Sequence, residues 1–242
     1  MIHRNSRSSG VKASSGACNT GVQPSSPKLS EVLDDHGKQA YPYMAIAHLL
    51  KSSKAEHVQS IPDFVENGAC IPNGDLRKVA TCDNHELKNS TIELLQDLHS
   101  QIDCEDRYAF RVLYARPEAV MRLTTPGTHI ADLGIQSASI YLPNAEDWQL
   151  ERPFDASKKF IFVLDKDVPK KNIATGFLGD HVVVLPGQVL EVGESVERAG
   201  TTYVMLKAPQ QHVDQPIYNP FNGMECPSFS DKVAYLASCR SK

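Results

Sequence analysis

The sequence predicts an α+β fold, with two packed, mainly antiparallel sheets preceded by a small helical subdomain. Three observations carry that expectation. Before residue 105 apolar residues recur at helical spacing, as in Ile92, Leu94, Leu95 and Leu98. After Tyr108 the texture changes to short runs rich in Val, Ile, Phe and Tyr, most of them closed by Pro, Gly, Asn or Asp. The connections between these runs are long and mostly non-helical, which argues against the strand and helix alternation of a doubly wound sheet.

In chain order, residues 1–38 are rich in Ser and Gly, poor in large apolar side chains, and lack period 2 or 3.6. Such a segment cannot bury enough surface to offset its ordering entropy, so it reads as a disordered tail, either a plain terminus or an unstructured export signal. Residues 39–104 form the helical subdomain. Ile46, Leu49 and Leu50 lie at i, i+3 and i+4, and Asn89-Ser90 with Glu93 has the spacing of an N-cap and capping box. Residues 105–242 hold the strands "AFRVLYA", "IQSASIYL", "KKFIFVLD", "HVVVLP", "QVLEV" and "TTYVMLKA", with "PEAVMRL" as a helical interruption and a closing helix from Ser230 to Ser238.

Composition narrows the function classes. With 25 Lys and Arg against 29 Asp and Glu, the net charge of −4 gives no general reason to bind nucleic acid or an anionic membrane. No run reaches the roughly 18 apolar residues of a membrane span, and no apolar core of a cleavable signal peptide is seen at the N-terminus. The six cysteines include no CxxC pair, so no metal site or disulfide framework is indicated. GxGxxG, P-loop and HExxH patterns are also absent.

One stretch carries chemistry. Phe110-Arg111 places an arginine in an apolar run; a Pro-Gly turn follows, and then "GIQSAS" puts Ser137 and Ser139 in a second run, with "VVVLPGQVLEV" downstream. Over residues 105–208 this order resembles the mono-ADP-ribosyltransferase superfamily, especially its bacterial toxin and effector branch. The family pattern is an aromatic-Arg pair, a Gly-aromatic-x-Ser-x-Ser strand, and a Glu-x-Glu before a Val-Leu-Leu-Pro-x-Gly strand. The resemblance implies a split β-sandwich fold, NAD as substrate, and a host protein as the ADP-ribose acceptor.

It also implies roles. Arg111 would anchor the pyrophosphate of NAD, a task that suits a permanently charged bidentate fork. Arg116 competes for that role, although Pro117 starts a helix directly after it. Ser137 would order the site and Ser139 would fix the turn of its strand. A carboxylate would stabilise the ribosyl cation as the glycosidic bond breaks. The third motif departs from the pattern: aligned on "VVVLPG", the two glutamates fall at Gly179 and His181, with Asp180 between them. Either Asp180 supplies the carboxylate, with Gly176 and Gly179 letting the loop approach, or His181 has replaced it and turnover is lost. Phe177 fits the exposed aromatic of the family's recognition loop. Glu191, Glu194 and Glu197 suit a solvated hairpin face.

Two rival classes remain open: a degenerate relative that binds a partner without turnover, and a Cys-His-Asp hydrolase or deamidase built from Cys226, His212 and Asp214, or around Cys104. The leading expectation is a monomeric secreted bacterial effector that acts on a host protein in the host cytoplasm.

Overall fold

The computed structural model describes residues 27–39, 59–67, 70–82, 85–101, 105–147, 157–173, 181–210 and 215–240. The helical pattern around Ile46, Leu49 and Leu50 lies outside them, as do Cys104, Phe177, Asp180, His212 and Asp214.

Nine strands form one hydrogen-bonded sheet in the order β5-β6-β3-β1-β4-β8-β7-β2-β9. They are β1 (Ala109–Ala115), β2 (His129–Ala131), β3 (Gln136–Ser139), β4 (Lys158–Leu164), β5 (Lys171–Asn172), β6 (His181–Val184), β7 (Val189–Arg198), β8 (Thr201–Lys207) and β9 (Ile217–Tyr218). Pairing is antiparallel except between β4 and β8 and between β2 and β9. Leu113, Ala138, Phe162, Val182, Leu190, Val204 and Ile130 contribute to one buried core, although β6 and β7 stand far apart in the strand order. These strands therefore build that core as members of one continuous sheet, where two separate packed sheets were expected.

Helices cover its outer faces. The helices are α1 (Leu29–His36), α2 (Ile61–Asn67), α3 (Cys70–Thr81), α4 (Asn89–Ser100), α5 (Val120–Thr124, entered through a 3-10 turn at Pro117–Ala119), α6 (Leu142–Asp147) and α7 (Phe229–Arg240). Phe64, Leu76, Leu94, Leu98 and Leu236 pack with Leu133, Ile135 and Val183 in one outer core. Leu29, Val32 and Leu33 pack with Phe110, Ile161, Val163 and Tyr203 in another. With both faces covered, β4 and β6 read as near-continuous apolar runs, not as alternating ones. Among the described residues no helix is long and apolar enough to cross a membrane.

Two expectations are corrected. Residues 29–36, inside the segment read as a disordered tail, form α1, because Leu29, Val32 and Leu33 make a narrow apolar stripe hidden in a Ser- and Gly-rich context. An isolated helix of eight residues is marginal in water, so docking sustains it. Glu194 on β7 accepts a 2.9 Å hydrogen bond from the Leu29 N–H, and Arg198 pairs with Asp34 at 2.8 Å. The second correction concerns α4, which begins at Asn89 behind Lys88, with no side-chain cap. There the free N–H of Lys88 donates to Asp75 of α3 at 2.9 Å, so a tertiary carboxylate replaces the expected local cap.

The β7–β8 hairpin turns through Ala199 and Gly200, both at positive φ (48° and 77°), which matches the right-handed twist of its strands. A bulge between Val192 and Ser195 interrupts its register and contains Glu194, the residue that meets α1.

Candidate active site

Strand β1 carries Arg111 between Ala109 and Leu113, so alternation aims an arginine into the face whose other members build the inner core. A guanidinium cannot sit there without partners. It donates to the Ser137 carbonyl at 3.1 Å and lies 3.5 Å from the Asp132 carboxylate. Burial pushes the Arg111 pKa down to about 10, with the neighbouring Arg77 adding to the depression and Asp132 opposing it. It stays charged at neutral pH.

Asp132 follows β2 and is the hub of the cluster, with 2% of its side chain exposed. Its oxygens accept from Arg77 Nε and Nη2 at 2.9 and 2.7 Å, and Oδ1 also accepts the Gly134 N–H at 2.8 Å. Burial works to raise its pKa, but Arg77, Arg111 and the Gly134 amide together hold it below the ordinary value. Arg77 comes from α3 and stacks over the Phe221 ring at 4.5 Å. One turn earlier on that helix, Asn73 grips Ile135 twice, donating to its carbonyl at 2.9 Å and accepting its N–H at 2.6 Å. The helical layer is thus fastened to the residue that leads into the Ser-x-Ser strand.

Gly134 permits that approach. A Cβ there would come within 3.0 Å of Arg77 Nε and Nη2 and of Asn73 Cγ. Gly134→Ala is expected to lower stability by about 1–3 kcal/mol through overpacking, a loss that thermal melting would register.

Register places the two serines. Phe110 pairs with Ser139, while Ser137 pairs with Val183 and Ser139 with His181. The structure brings Arg111 to the backbone of Ser137 and not to its hydroxyl, which makes no hydrogen bond to a described residue. Ser139 Oγ accepts the Tyr141 N–H at 3.0 Å and the Asn144 amide at 3.1 Å, tying the end of β3 to the first turn of α6. Gln136 is buried, and its amide nitrogen has no hydrogen-bond partner among the described residues. The charged Arg111 guanidinium and the spare Gln136 amide share one face of the sheet and suit a polar, anionic ligand, whereas Ser137, paired with Val183, carries its hydroxyl on the opposite face.

Other candidates fall elsewhere. Arg116 lies just past the end of β1, where its N–H donates to Phe221, and its side chain is exposed. His181 is buried at 2% exposure and stacks on Phe64 of α2, with ring centroids 5.9 Å apart. Position 181 therefore presents a packed ring. Burial raises the Cys226 pKa, which works against a thiolate nucleophile. Glu194 is engaged by α1, and Glu191 lies 3.9 Å from His129.

Asn73, Arg77 and Asp132 stand outside the motifs legible in the sequence. The available signal was slight: Asn73 and Arg77 stand at i and i+4, and Asp132 lies two residues before the glycine of "GIQSAS".

No protein-family model matches the chain, and no curated protein matches it by sequence. Solved structures do. The ADP-ribosyltransferase Vis in complex with agmatine superposes with a TM-score of 0.60 at 13% identity, over 79% of this chain and 98% of that one. The same transferase with the M6 inhibitor gives 0.55 at 18% identity, over 81% and 90% of the two chains. The Vis toxin from Vibrio splendidus gives 0.53 at 17% identity, over 81% and 91%.

Proposed function

We propose that this chain, which has the fold of an ADP-ribosyltransferase, transfers the ADP-ribosyl group of NAD to a side chain of a protein. The observation that carries the reading is the contact between Arg111 and the Ser137 backbone, within a fold that has this likeness. In the reaction the bond between nicotinamide and ribose C1 breaks, nicotinamide leaves with the bonding pair, and an acceptor nucleophile bonds to C1 and loses its proton.

Each residue then has a task. Arg111 binds the pyrophosphate with the N–H groups not committed to Ser137, in a buried setting where charge-assisted hydrogen bonds are strong. Ser137 orders the site through its carbonyl, which accepts from Arg111, and Ser139 holds the strand end in place. Asp180, which directly precedes β6 in the chain, supplies the negative charge facing the ribosyl cation, and Phe177 meets the acceptor. In this reading the chain is a secreted bacterial effector that acts as a monomer on a host protein in the host cytoplasm.

A second reading has its own support. The residue aligned with the family's glutamate is a buried histidine stacked on Phe64, as in a relative that binds a partner without turnover. Incubation with labelled NAD and host-cell lysate separates the two. Transfer predicts a labelled protein band that Asp180→Ala abolishes. A band that persists in that variant moves the carboxylate elsewhere, and no band with any form of the protein favours the degenerate relative.

A further inference from the structure

We infer that Arg77 is a positioning residue, one that occupies Asp132 so that Arg111 is left free for an anionic ligand. The inference rests on the transferase reading for the identity of that ligand, and on geometry for the rest. Two guanidinium groups face one buried carboxylate, and they share it unequally. Arg77 makes two hydrogen bonds of 2.7 and 2.9 Å, whereas Arg111 stays at 3.5 Å and is bonded instead to Ser137.

The unequal sharing is built in. Arg77 is held by the Phe221 ring on one side and by its helix, which Asn73 locks onto Ile135 one turn away. A buried carboxylate that loses a partner is strongly destabilised, so without Arg77 the only described cation near enough to neutralise Asp132 is Arg111. Moving onto Asp132 would take Arg111 from the ligand. The helical layer thus sets the state of an arginine on the sheet without touching the ligand.

The test uses the full chain. In a crystal structure of Arg77→Met, Arg111 Nη2 should close on Asp132 to about 2.8 Å, the usual length of a charge-assisted pair. NAD affinity, measured by calorimetry, should fall about tenfold, the worth of one hydrogen bond to a charged group. Adding Asp132→Asn leaves a neutral amide that competes weakly for Arg111, and should return the affinity to within about threefold of the parent. An ordinary structural ion pair predicts the opposite: a double variant no better than the single one. If Arg77→Met does not fold, Arg77→Lys serves, because an ammonium lacks the fork that covers both oxygens and should give a smaller shift in the same direction. An Arg111 that stays at its present distance in the folded variant overturns the inference. If the parent binds no NAD, the transferase reading fails, while the Arg111 to Asp132 distance still decides this one.

Discussion

Arg111→Ala is expected to lower kcat/KM for NAD-dependent transfer by roughly a hundredfold to ten-thousandfold, with a much smaller effect on folding. The size follows from the setting. Two charge-assisted hydrogen bonds to a phosphate contribute about 1.5–3 kcal/mol each, and every 1.4 kcal/mol is a factor of ten. Folding is buffered because Asp132 keeps both bonds from Arg77 and the Gly134 amide, so no carboxylate is stranded. Arg111→Lys should restore little, since a point charge cannot hold Ser137 and a phosphate together as the fork does. Steady-state kinetics beside a melting curve checks both halves. A variant with full kcat/KM would remove Arg111 from the site and return Arg116 to consideration.

Asp132→Asn should be the costliest single substitution for stability, at about 3–5 kcal/mol, because it leaves Arg77 and Arg111 facing each other across a neutral amide, with Arg111 buried. At about 2–4 °C per kcal/mol for a chain of this size, the midpoint should drop by roughly 6–20 °C. The pH dependence has a definite sign. Asp132 has a folded pKa below its ordinary value of 3.8, so the unfolded chain binds more protons in that window. Its contribution is fully present above about pH 4 and is lost as pH falls through the folded pKa. Melting curves from neutral pH down to pH 3 should therefore fall more steeply for the parent than for Asp132→Asn.

Local patterns were legible where the chain has a local reason for its structure. The run "AFRVLYA" coincides with β1, and the Pro-led "PEAVMRL" is the expected short helix. The Ser-x-Ser motif sits on β3, as its small hydroxyls suggested, although the strand stops at Ser139 and "YLPN" turns into α6. The features with no local signature depend on partners distant along the chain. The strands β2, β5 and β9 are only two or three residues long and exist through their neighbours. The bonds from Asn73 to Ile135 and from Arg77 to Asp132 span 62 and 55 residues, and no local pattern announces them. Asn89 looked like a cap because its type and spacing were right, but Asp75 from another helix had already taken the neighbouring amide. Arg111 and Ser137 are legible as site residues from the motif, but the bond between them runs to a backbone carbonyl that only the strand register brings into reach.

The attachment of α1 bears on the order in which the molecule assembles. Its apolar stripe lies against β4 and β8 residues, and its first amide is met by Glu194, which is 165 positions further along the chain. A ribosome therefore releases this helix long before it makes the surface that the helix needs. Contacts of such sequence separation carry a large loop-closure cost and form late. We expect α1 to seal the back of the arginine-bearing strand as one of the last steps of folding, after the β7–β8 hairpin has closed. Until then Phe110 and Tyr203 stay open to water, and a chaperone that binds apolar surface would find its target there.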